Sequence, residues 1–309
     1  MATHEFNPTH FHPTIGTYQT VLRIGDGDTV RTSTLCAHGY DGSGERRIDC
    51  SNPMTGPFFV EGAMPGDALE VTFDSITPNR EYGWSRTTLA ANVLDPDSDT
   101  LRRSAETDSD QLASWRVDSE AGTVTLVDPA ATRLGGISLP LEPMLGCFGV
   151  APELGQAIAT ATSGRHGGNM DYRGFGVGVS ALLPVFVPGA LFHLGDCHAR
   201  QGDGEIGGTG VEISADVQFT VRVRKNAGLR WPAGESRDHT FTVGNARPLD
   251  QALQHATTEM QRRLQQEYGL DRVAAALLMG QCIEYDVGNV YDPAYTVVCK
   301  LAKDLLAAL

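Results

Sequence analysis

The 309-residue chain lacks the basic surface that nucleic acids and anionic membranes require of a partner. Its 24 Lys and Arg are outnumbered by 38 Asp and Glu, the formal charge is −14, and no basic run offsets the excess. No apolar run approaches the roughly 18 to 20 residues of a membrane helix. The first six residues show no charged segment followed by an apolar one. We therefore expect a cytoplasmic protein that binds neither nucleic acid nor membrane.

Several catalytic signatures are also absent. The six cysteines form no CxxC pair, and a chain of this size needs no disulfides, so we expect reduced thiols. The GxSxG elbow, the P-loop and the HExxH zinc motif do not occur. A cysteine nucleophile at Cys147 or Cys197 is conceivable, with His198 as the nearby base, although buried, inert cysteines are the favoured interpretation.

What the chain does contain indicates a globular, mainly β protein. It has 35 glycines and 16 prolines, which suit many turns between short strands. Strand pairs are predicted in residues 17–35, around a turn at 25–28, and in residues 56–76, around a turn at 65–67. Residues 134–210 combine many glycines and prolines with His, Asp and Glu, and are the best candidate for a functional region.

The clearest strand pattern follows that region. Residues 211–223 alternate apolar with polar side chains, which predicts one buried and one wetter face. Glu212 lies on the polar face and is either solvated or part of a site. Residues 95–133 are rich in polar residues and predict a surface hairpin with a short strand near residues 123–127.

The C-terminal part changes to helical periodicity. Apolar residues recur in steps of three and four after Pro248, which predicts an amphipathic helix that ends near Gly269. We then expect a helix capped by Asp271 through residue 279, a strand at 282–285 and a terminal helix through residue 309. The change divides the chain into a β-rich core, 1–225, and an α+β subdomain packed on it, 226–309.

Residues 194–205 carry the strongest chemical signal. In an extended segment Asp196 and His198 point to the same side, and Asp203 and Glu205 share that spacing. Carboxylates and an imidazole held close together, with glycines for tight turns, form a plausible zinc site. The alternative is a surface turn with solvated acids.

Two further segments carry candidate ligands. In residues 164–171, paired glycines such as Gly168 allow close approach of a ligand, Asn169 has amide groups that could hold a substrate, and Asp171 could be a metal ligand or a base. A glycine-rich turn is the alternative there. His38 follows a predicted strand and could complete a metal site, or be an ordinary structural or surface histidine.

Taken together, several segments resemble the acetamidase/formamidase family. Their order and spacing match the family from about residue 15 to 225, and their joint occurrence is far more specific than any one of them. The segments are 52–57 (NPMTGP), 60–67 (VEGAMPGD), 164–171 (GRHGGNMD), 184–191 (PVFVPGAL), 195–205 (GDCHARQGDGE) and 208–212 (GTGVE).

The resemblance implies a fold and an activity. The fold would be a jelly-roll-like β-sandwich with barrel-like β structure and an α+β C-terminal portion. The activity would be hydrolysis of a small linear amide such as formamide or acetamide to carboxylate and ammonia. Homo-oligomers and a divalent metal, commonly zinc, would accompany it.

We assign individual roles as hypotheses on this basis. The metal ligands would be His38, Asp171, Asp196 and His198. The catalytic proton carriers would be Glu205 and Asp203, and Asn169 and Gly168 would bind the substrate. A histidine at position 38 is more similar to lactamase-type members of the family, so a cyclic amide (lactam) is an alternative substrate. Another alternative is a calcium-containing binding module, which would not need His198.

Overall fold

The computed structural model describes residues 1–98, 112–127 and 132–307. Strands account for 41% of the chain and helices for 15%, which confirms the predicted mainly β fold. The strands are β1 (Thr3–Glu5), β2 (Thr14–Ile15), β3 (Leu22–Ile24), β4 (Thr29–Thr34), β5 (Thr55–Val60), β6 (Ala68–Pro78), β7 (Tyr82–Arg86), β8 (Leu112–Asp118), β9 (Thr123–Leu126), β10 (Ser138–Pro140), β11 (Met144–Val150), β12 (Ile158–Ala159), β13 (Ser163–Gly164), β14 (Gly167–Asn169), β15 (Ser180–Pro184), β16 (Phe192–His198), β17 (Glu212–Ile213), β18 (Ala215–Arg224), β19 (Ala233–Glu235), β20 (His239–Ala246), β21 (Glu284–Asn289) and β22 (Tyr295–Ala302). The helices are α1 (Leu249–Glu267), α2 (Arg272–Cys282) and α3 (Lys303–Leu306).

Two large sheets form the body of the protein. The nine-stranded sheet has the order β1-β4-β18-β6-β15-β19-β20-β22-β21. The eleven-stranded sheet follows β10-β9-β8-β7-β17-β16-β11-β14-β13, with β5 joined to β16 and β3 to β5. Both sheets are open in the described part of the chain, so the expected barrel-like portion does not close there.

The sheets face each other across an aromatic core, which is the arrangement of a β-sandwich. Phe73 of the nine-stranded sheet meets Phe148 of the other edge-to-face at 5.0 Å, and Phe219 meets Phe192 in the same way at 5.3 Å. All four rings are fully buried. Edge-to-face pairs stabilise by roughly 0.5–1.5 kcal/mol beyond the area they bury.

The predicted strands exist, but their predicted pairings are wrong. β3 pairs with β5, whereas β4 pairs with β1 and β18, so the turn at residues 25–28 passes the chain from one sheet to the other. β5 and β6 likewise belong to different sheets, β5 to the eleven-stranded and β6 to the nine-stranded one. The alternating run at 211–223 is likewise divided at Ser214, with β17 in one sheet and β18 in the other.

The C-terminal region extends the nine-stranded sheet and packs helices on it. Helix α1 lies against β20 and β22, and a Cβ at Gly244 would come within 1.9 Å of the Ala252 carbonyl oxygen. The predicted helices are confirmed: Pro248 precedes α1, and the Asp271 side chain accepts a hydrogen bond from the Ala274 amide at the start of α2. None of the described helices is long and apolar enough to cross a membrane.

Some details of these predictions differ from the structure. Leu249 and Leu253 are exposed, so the buried stripe of α1 runs instead from Ala252 through Leu264. The short strand near residues 123–127 is present as β9, and β22 was not predicted. The predicted hairpin at 95–133 and the terminal helix through 309 extend outside the described residues, which exclude 99–111, 128–131 and 308–309.

Candidate active site

Six potential metal ligands converge where strands of the eleven-stranded sheet meet the β21–β22 loop. Three groups of donor atoms each lie within 4.8 Å of one another. The first contains Asp171, Asp196 and His198, which is three of the four predicted ligands. The second contains His198, Glu205 and Glu212, and the third contains Asp171, Glu205 and Asp292. We call these six residues the acid cluster.

Strand pairing explains why the cluster forms here. β16 carries Asp196 and His198, and it pairs with both β11 and β17. The carbonyl oxygen of Gly146 in β11 accepts hydrogen bonds from the amides of Met170 and Asp171, each at 3.0 Å. A Cβ at Gly146 would lie 2.2 Å from Asp171 Oδ1 and 2.8 Å from Asp196 Oδ2. Glycine is therefore needed to leave space for the carboxylates.

Backbone strain is concentrated in the same place. Asp171, Asp196 and Glu205 have φ values of 42°, 57° and 45°, in the left-handed region that non-glycine residues rarely adopt. Asp196 is thus not extended, yet its Oδ1 lies 3.6 Å from His198 Nε2. Residues held in such conformations cost roughly 1–3 kcal/mol each and cluster at functional sites.

The cluster is buried and strongly acidic. Its five carboxylate side chains are at most 8% exposed, and His198 is 1% exposed. Among the described residues, no Lys or Arg forms an ion pair with any of them. Because a buried charge without a partner is very costly, these carboxylates need protons or a cation.

The cluster has unmet hydrogen-bonding capacity that a cation could satisfy. Asp171 Oδ1, Asp196 Oδ1 and Glu212 Oε2 are buried without a hydrogen-bond partner. The Asn289 amide nitrogen faces three carboxylate oxygens, at 2.8 Å from Asp171, 2.8 Å from Glu205 and 3.1 Å from Asp292. It has two hydrogens for three acceptors. One imidazole nitrogen with several carboxylate oxygens is a donor set that zinc accepts.

The hydrogen bonds of Gln201 determine which His198 nitrogen faces the cluster. The Gln201 amide nitrogen donates to the carbonyl oxygen of Asp171 at 2.5 Å, so its Oε1 faces His198 Nδ1 at 2.8 Å. Since that oxygen only accepts, Nδ1 carries a proton. The other nitrogen, Nε2, faces Glu212 at 3.0 Å and is available as a ligand.

Burial and charge shift the pKa values of the cluster toward proton uptake. Burial raises the pKa of Glu212 to about 7, although the nearby His198 opposes the shift. Burial raises the pKa of Asp292 to about 6, and it raises those of Asp171 and Glu205 well above their usual range. Burial acts to lower the pKa of His198, but Glu212 and Asp196 raise it well above its ordinary value.

A cavity of about 550 Å³ opens onto the cluster. Glu205, Glu212, Asp196 and Asp292 reach it from one side, and Asn169 also lines it. The rest of its wall comes mainly from loop and strand residues nearer to solvent, namely Ala37, His38, Ser51, Asn52, Trp84, Arg86, Leu112, Ala161, Gly208, Thr209 and Tyr291. A ligand in the cavity would therefore touch carboxylates at one end.

Three predicted site residues lie apart from the cluster. His38 is exposed and stacks on Trp84, with ring centroids 3.9 Å apart, so it lines the cavity but belongs to none of the three donor groups. Asp203 is exposed and paired with Arg173 at 2.6 Å, because the turn from Asp203 to Glu205 directs only Glu205 inward. Gly168 packs against the backbone of Thr162, since a Cβ added at Gly168 would come within 2.5 Å of the Thr162 carbonyl oxygen.

Sequence reasoning did not identify several members of the site. Glu212 was left open between solvent and site, and the structure buries it in the cluster. Asn289 ends β21 and Asp292 lies in the β21–β22 loop, and their Asn-x-x-Asp spacing gave no signal alone. Asn289 Oδ1 accepts the Asp292 amide hydrogen at 3.0 Å, which is a local turn pattern.

The two candidate cysteine nucleophiles do not reach the cavity. Cys147 and Cys197 are fully buried, and neither lines the cavity. Burial raises the pKa of both thiols well above the ordinary value, which disfavours the reactive thiolate. Their environment is that of structural cysteines.

Comparisons with known proteins find similar chains. The Acetamidase/Formamidase family model matches residues 153–298. A solved acetamidase from Yersinia enterocolitica is similar at 32% identity and a TM-score of 0.82, over 98% of this chain and 93% of that one. An acetamidase from Bacillus halodurans is similar at 29% identity and a TM-score of 0.82, over 99% of each chain. The acetamidase of Mycolicibacterium smegmatis is 29% identical over 63% of this chain, which spans 59% of its length.

Proposed function

The chain belongs to the acetamidase/formamidase family, and from this premise we propose that it hydrolyses the C–N bond of a small linear amide to a carboxylate and ammonia, with a divalent cation held by the acid cluster. The observation that carries the proposal is the cluster itself. It combines five buried carboxylates with one imidazole, and four of the carboxylates line the cavity. Three of the carboxylate oxygens lack a hydrogen-bond partner, and no Lys or Arg among the described residues neutralises them.

The first donor group is the best candidate for the cation. Asp171, Asp196 and His198 were predicted as ligands, and their donor atoms lie within 4.8 Å of one another. His198 is oriented by Gln201, as ligand histidines usually are by a neighbour. When bound, a divalent cation supplies Lewis acidity, which lowers the pKa of a water and polarises a carbonyl. Zinc suits the mixed nitrogen and oxygen donors better than calcium does.

Glu205 is our candidate for the proton carrier. Hydrolysis adds a water oxygen to the amide carbon, breaks the C–N bond and requires a proton to reach the leaving nitrogen. The Glu205 carboxylate lines the cavity and is held by the Asn289 amide at 2.8 Å, so it is placed to take that proton from water and deliver it. The exposed Asp203 has no such position.

Asn169 is our candidate for orienting the substrate. Its amide nitrogen donates to Asp292 at 2.6 Å, and its oxygen accepts from Asn52 at 3.1 Å. These bonds fix the side chain and leave one N–H for a ligand in the cavity. Because this N–H donor is already fixed, it can bind a carbonyl oxygen without a further loss of conformational entropy.

The test is ammonia release from formamide and acetamide, with ring opening of small lactams measured in parallel. We expect turnover that is lost on chelation and restored by zinc. Lactam opening without ammonia release would favour the cyclic-amide alternative. Turnover that survives chelation would contradict the metal role, and no turnover at all with metal still bound would favour a binding module.

The Glu205 role has its own test. Glu205→Gln should abolish turnover while metal content, measured by plasma mass spectrometry, stays at the wild-type level. Asp203→Asn is the matched control, since it alters an exposed carboxylate two residues away, and it should keep wild-type activity. Full activity of Glu205→Gln would refute the assignment.

A homo-oligomeric state, a cytoplasmic location and the division of the chain into residues 1–225 and 226–309 remain predictions.

A further inference from the structure

The outer wall of the cavity differs in charge from the acid cluster. Arg86 is the only Lys or Arg among the described residues that line the cavity. It is half-buried, and its guanidinium donates to the hydroxyl of Tyr291 at 2.6 Å. The ring of Tyr291 packs on Gly208, since a Cβ added at Gly208 would come within 2.4 Å of that ring. The arginine is therefore held in place by a rigid aromatic residue.

The charge of Arg86 has no partner in the described part of the chain. No carboxylate there lies within 4 Å of its guanidinium, although acids outnumber bases by 38 to 24 in the whole protein. An arginine in such a protein ordinarily has acidic neighbours to pair with. One that is fixed and faces a cavity instead has its remaining N–H donors available for a ligand.

The charge of Arg86 acts on the opening of the cavity. Burial lowers the pKa of His38, which lines that opening, and the charges of Arg46, Arg86 and Arg80 lower it further. Arg46 is itself paired with Asp49, and Arg80 does not line the cavity, so Arg86 is the one guanidinium that the described wall offers a ligand. A guanidinium of this kind attracts anions, and the cation proposed at the acid cluster reduces repulsion from the carboxylates.

The size of the cavity indicates a ligand longer than acetamide. Its volume of about 550 Å³ lies within the roughly 300–1,000 Å³ of clefts that enclose drug-sized ligands. Acetamide would contact the acid cluster and leave the part of the cavity around Arg86 unused. The Trp84 ring, flat against His38, and the Arg86 guanidinium would then have no function in binding.

We propose that the preferred substrate is a linear amide whose acyl chain ends in a carboxylate, with the amide at the acid cluster and the carboxylate on Arg86. This inference rests on the proposed function, because it names the class of amide that the site hydrolyses. A bidentate pair between guanidinium and carboxylate would select this end of the substrate. The product would be a dicarboxylate, released with ammonia.

The experiment compares ω-carboxy amides with a neutral amide of the same shape. Malonamate, succinamate and glutaramate vary the distance between the two ends, and 4-methylpentanamide replaces the carboxylate of succinamate by an isopropyl group. We expect kcat/KM for the best anionic amide to exceed that for the neutral one by at least about tenfold. Arg86→Met should lower this ratio by about 10- to 100-fold, mainly through KM, as the loss of a charge-assisted hydrogen bond predicts.

The matched control is Arg173→Met, which removes an exposed arginine outside the cavity and should leave the ratio unchanged. A wild-type preference for the neutral amide, or an unchanged ratio in Arg86→Met, would overturn the inference while the amidase activity stood. If no amide is hydrolysed, the proposed function fails, and succinate binding by calorimetry decides the inference separately. Binding weakened at least tenfold in Arg86→Met would support the subsite, and equal binding in both proteins would overturn it.

Discussion

The metal-free protein should become less stable as the pH rises from 5 to 7.5. Burial raises the pKa of Glu212 from 4.5 to about 7 and that of Asp292 from 3.8 to about 6. In the unfolded chain both groups lose their protons near their ordinary pKa values. Between those values and the folded-state values the folded protein binds more protons, so its stability falls as the pH increases.

The magnitude follows from the size of the shifts. One pKa unit corresponds to about 1.36 kcal/mol, so above pH 5 Glu212 accounts for on the order of 3 kcal/mol and Asp292 for on the order of 1 kcal/mol, and the two together for less than the sum because they share neighbours. His198 acts in the same direction: its raised pKa gives stability that is complete below its unfolded value and is lost at higher pH. Asp28, whose hydrogen bonds lower its pKa to about 2, is fully ionised throughout this range and adds nothing to the slope.

Thermal unfolding of chelated protein across this pH range measures the effect. For 309 residues, an unfolding entropy of about 2.1 cal/mol/K per residue converts 3 kcal/mol into roughly 5 °C of Tm. Glu212→Gln cannot titrate and should remove about half of the decline, whereas Asp203→Asn should keep it. Saturating zinc should abolish the decline, because the bound cation requires ionised carboxylates. A Tm of the chelated protein that is flat or rises over this range would refute the electrostatic argument.

Three further outcomes are expected. Gly146→Ala should lower metal affinity at least tenfold, because its Cβ would fall 2.2 Å from Asp171 Oδ1, and calorimetric titration with zinc would check this. Gln201→Leu should weaken zinc binding by about 10- to 100-fold, as loss of a residue that orients a metal ligand does, and Gln201→Glu, which can still accept from His198 Nδ1, should restore part of the affinity. Cys197→Ser should keep its amidase activity under reducing conditions, and a loss of activity without a loss of Tm would revive the cysteine mechanism.

Local signals explain the elements that were predicted correctly. The helix after Pro248 and the cap at Asp271 depend on residues only three or four positions apart, which a sequence displays directly. Pairing between strands depends on distant partners. The turn at 25–28 looked like a hairpin, but β4 is matched with β18, which begins at Ala215, and no local pattern contains that information.

The same distinction applies to the site. Asp196 and His198 could be identified because they share a short segment with a recognisable composition. Asp203 and Glu205 have the same spacing, yet the reversal of the chain at Gly204, with φ of 82°, sends one to Arg173 and the other inward. Asp292 lies 87 positions beyond Glu205, and its place in the site depends on long-range contacts such as the hydrogen bond that Asn169 of β14 donates to it at 2.6 Å.

The strained residues of this fold provide an independent argument for where its function lies. Eight non-glycine residues in the described ranges have positive φ, and four of them, Asn52, Asp171, Asp196 and Glu205, surround the cavity or hold its acids. The same small volume also contains the unpartnered carboxylate oxygens and Gly146, where a Cβ would come within 2.2 Å of Asp171 Oδ1. Each of these features destabilises the protein unless a ligand compensates for it. Because their costs coincide at one place, a bound cation that relieves the charge is the simplest single cause, and it accounts for the acids, the glycine and the left-handed residues together.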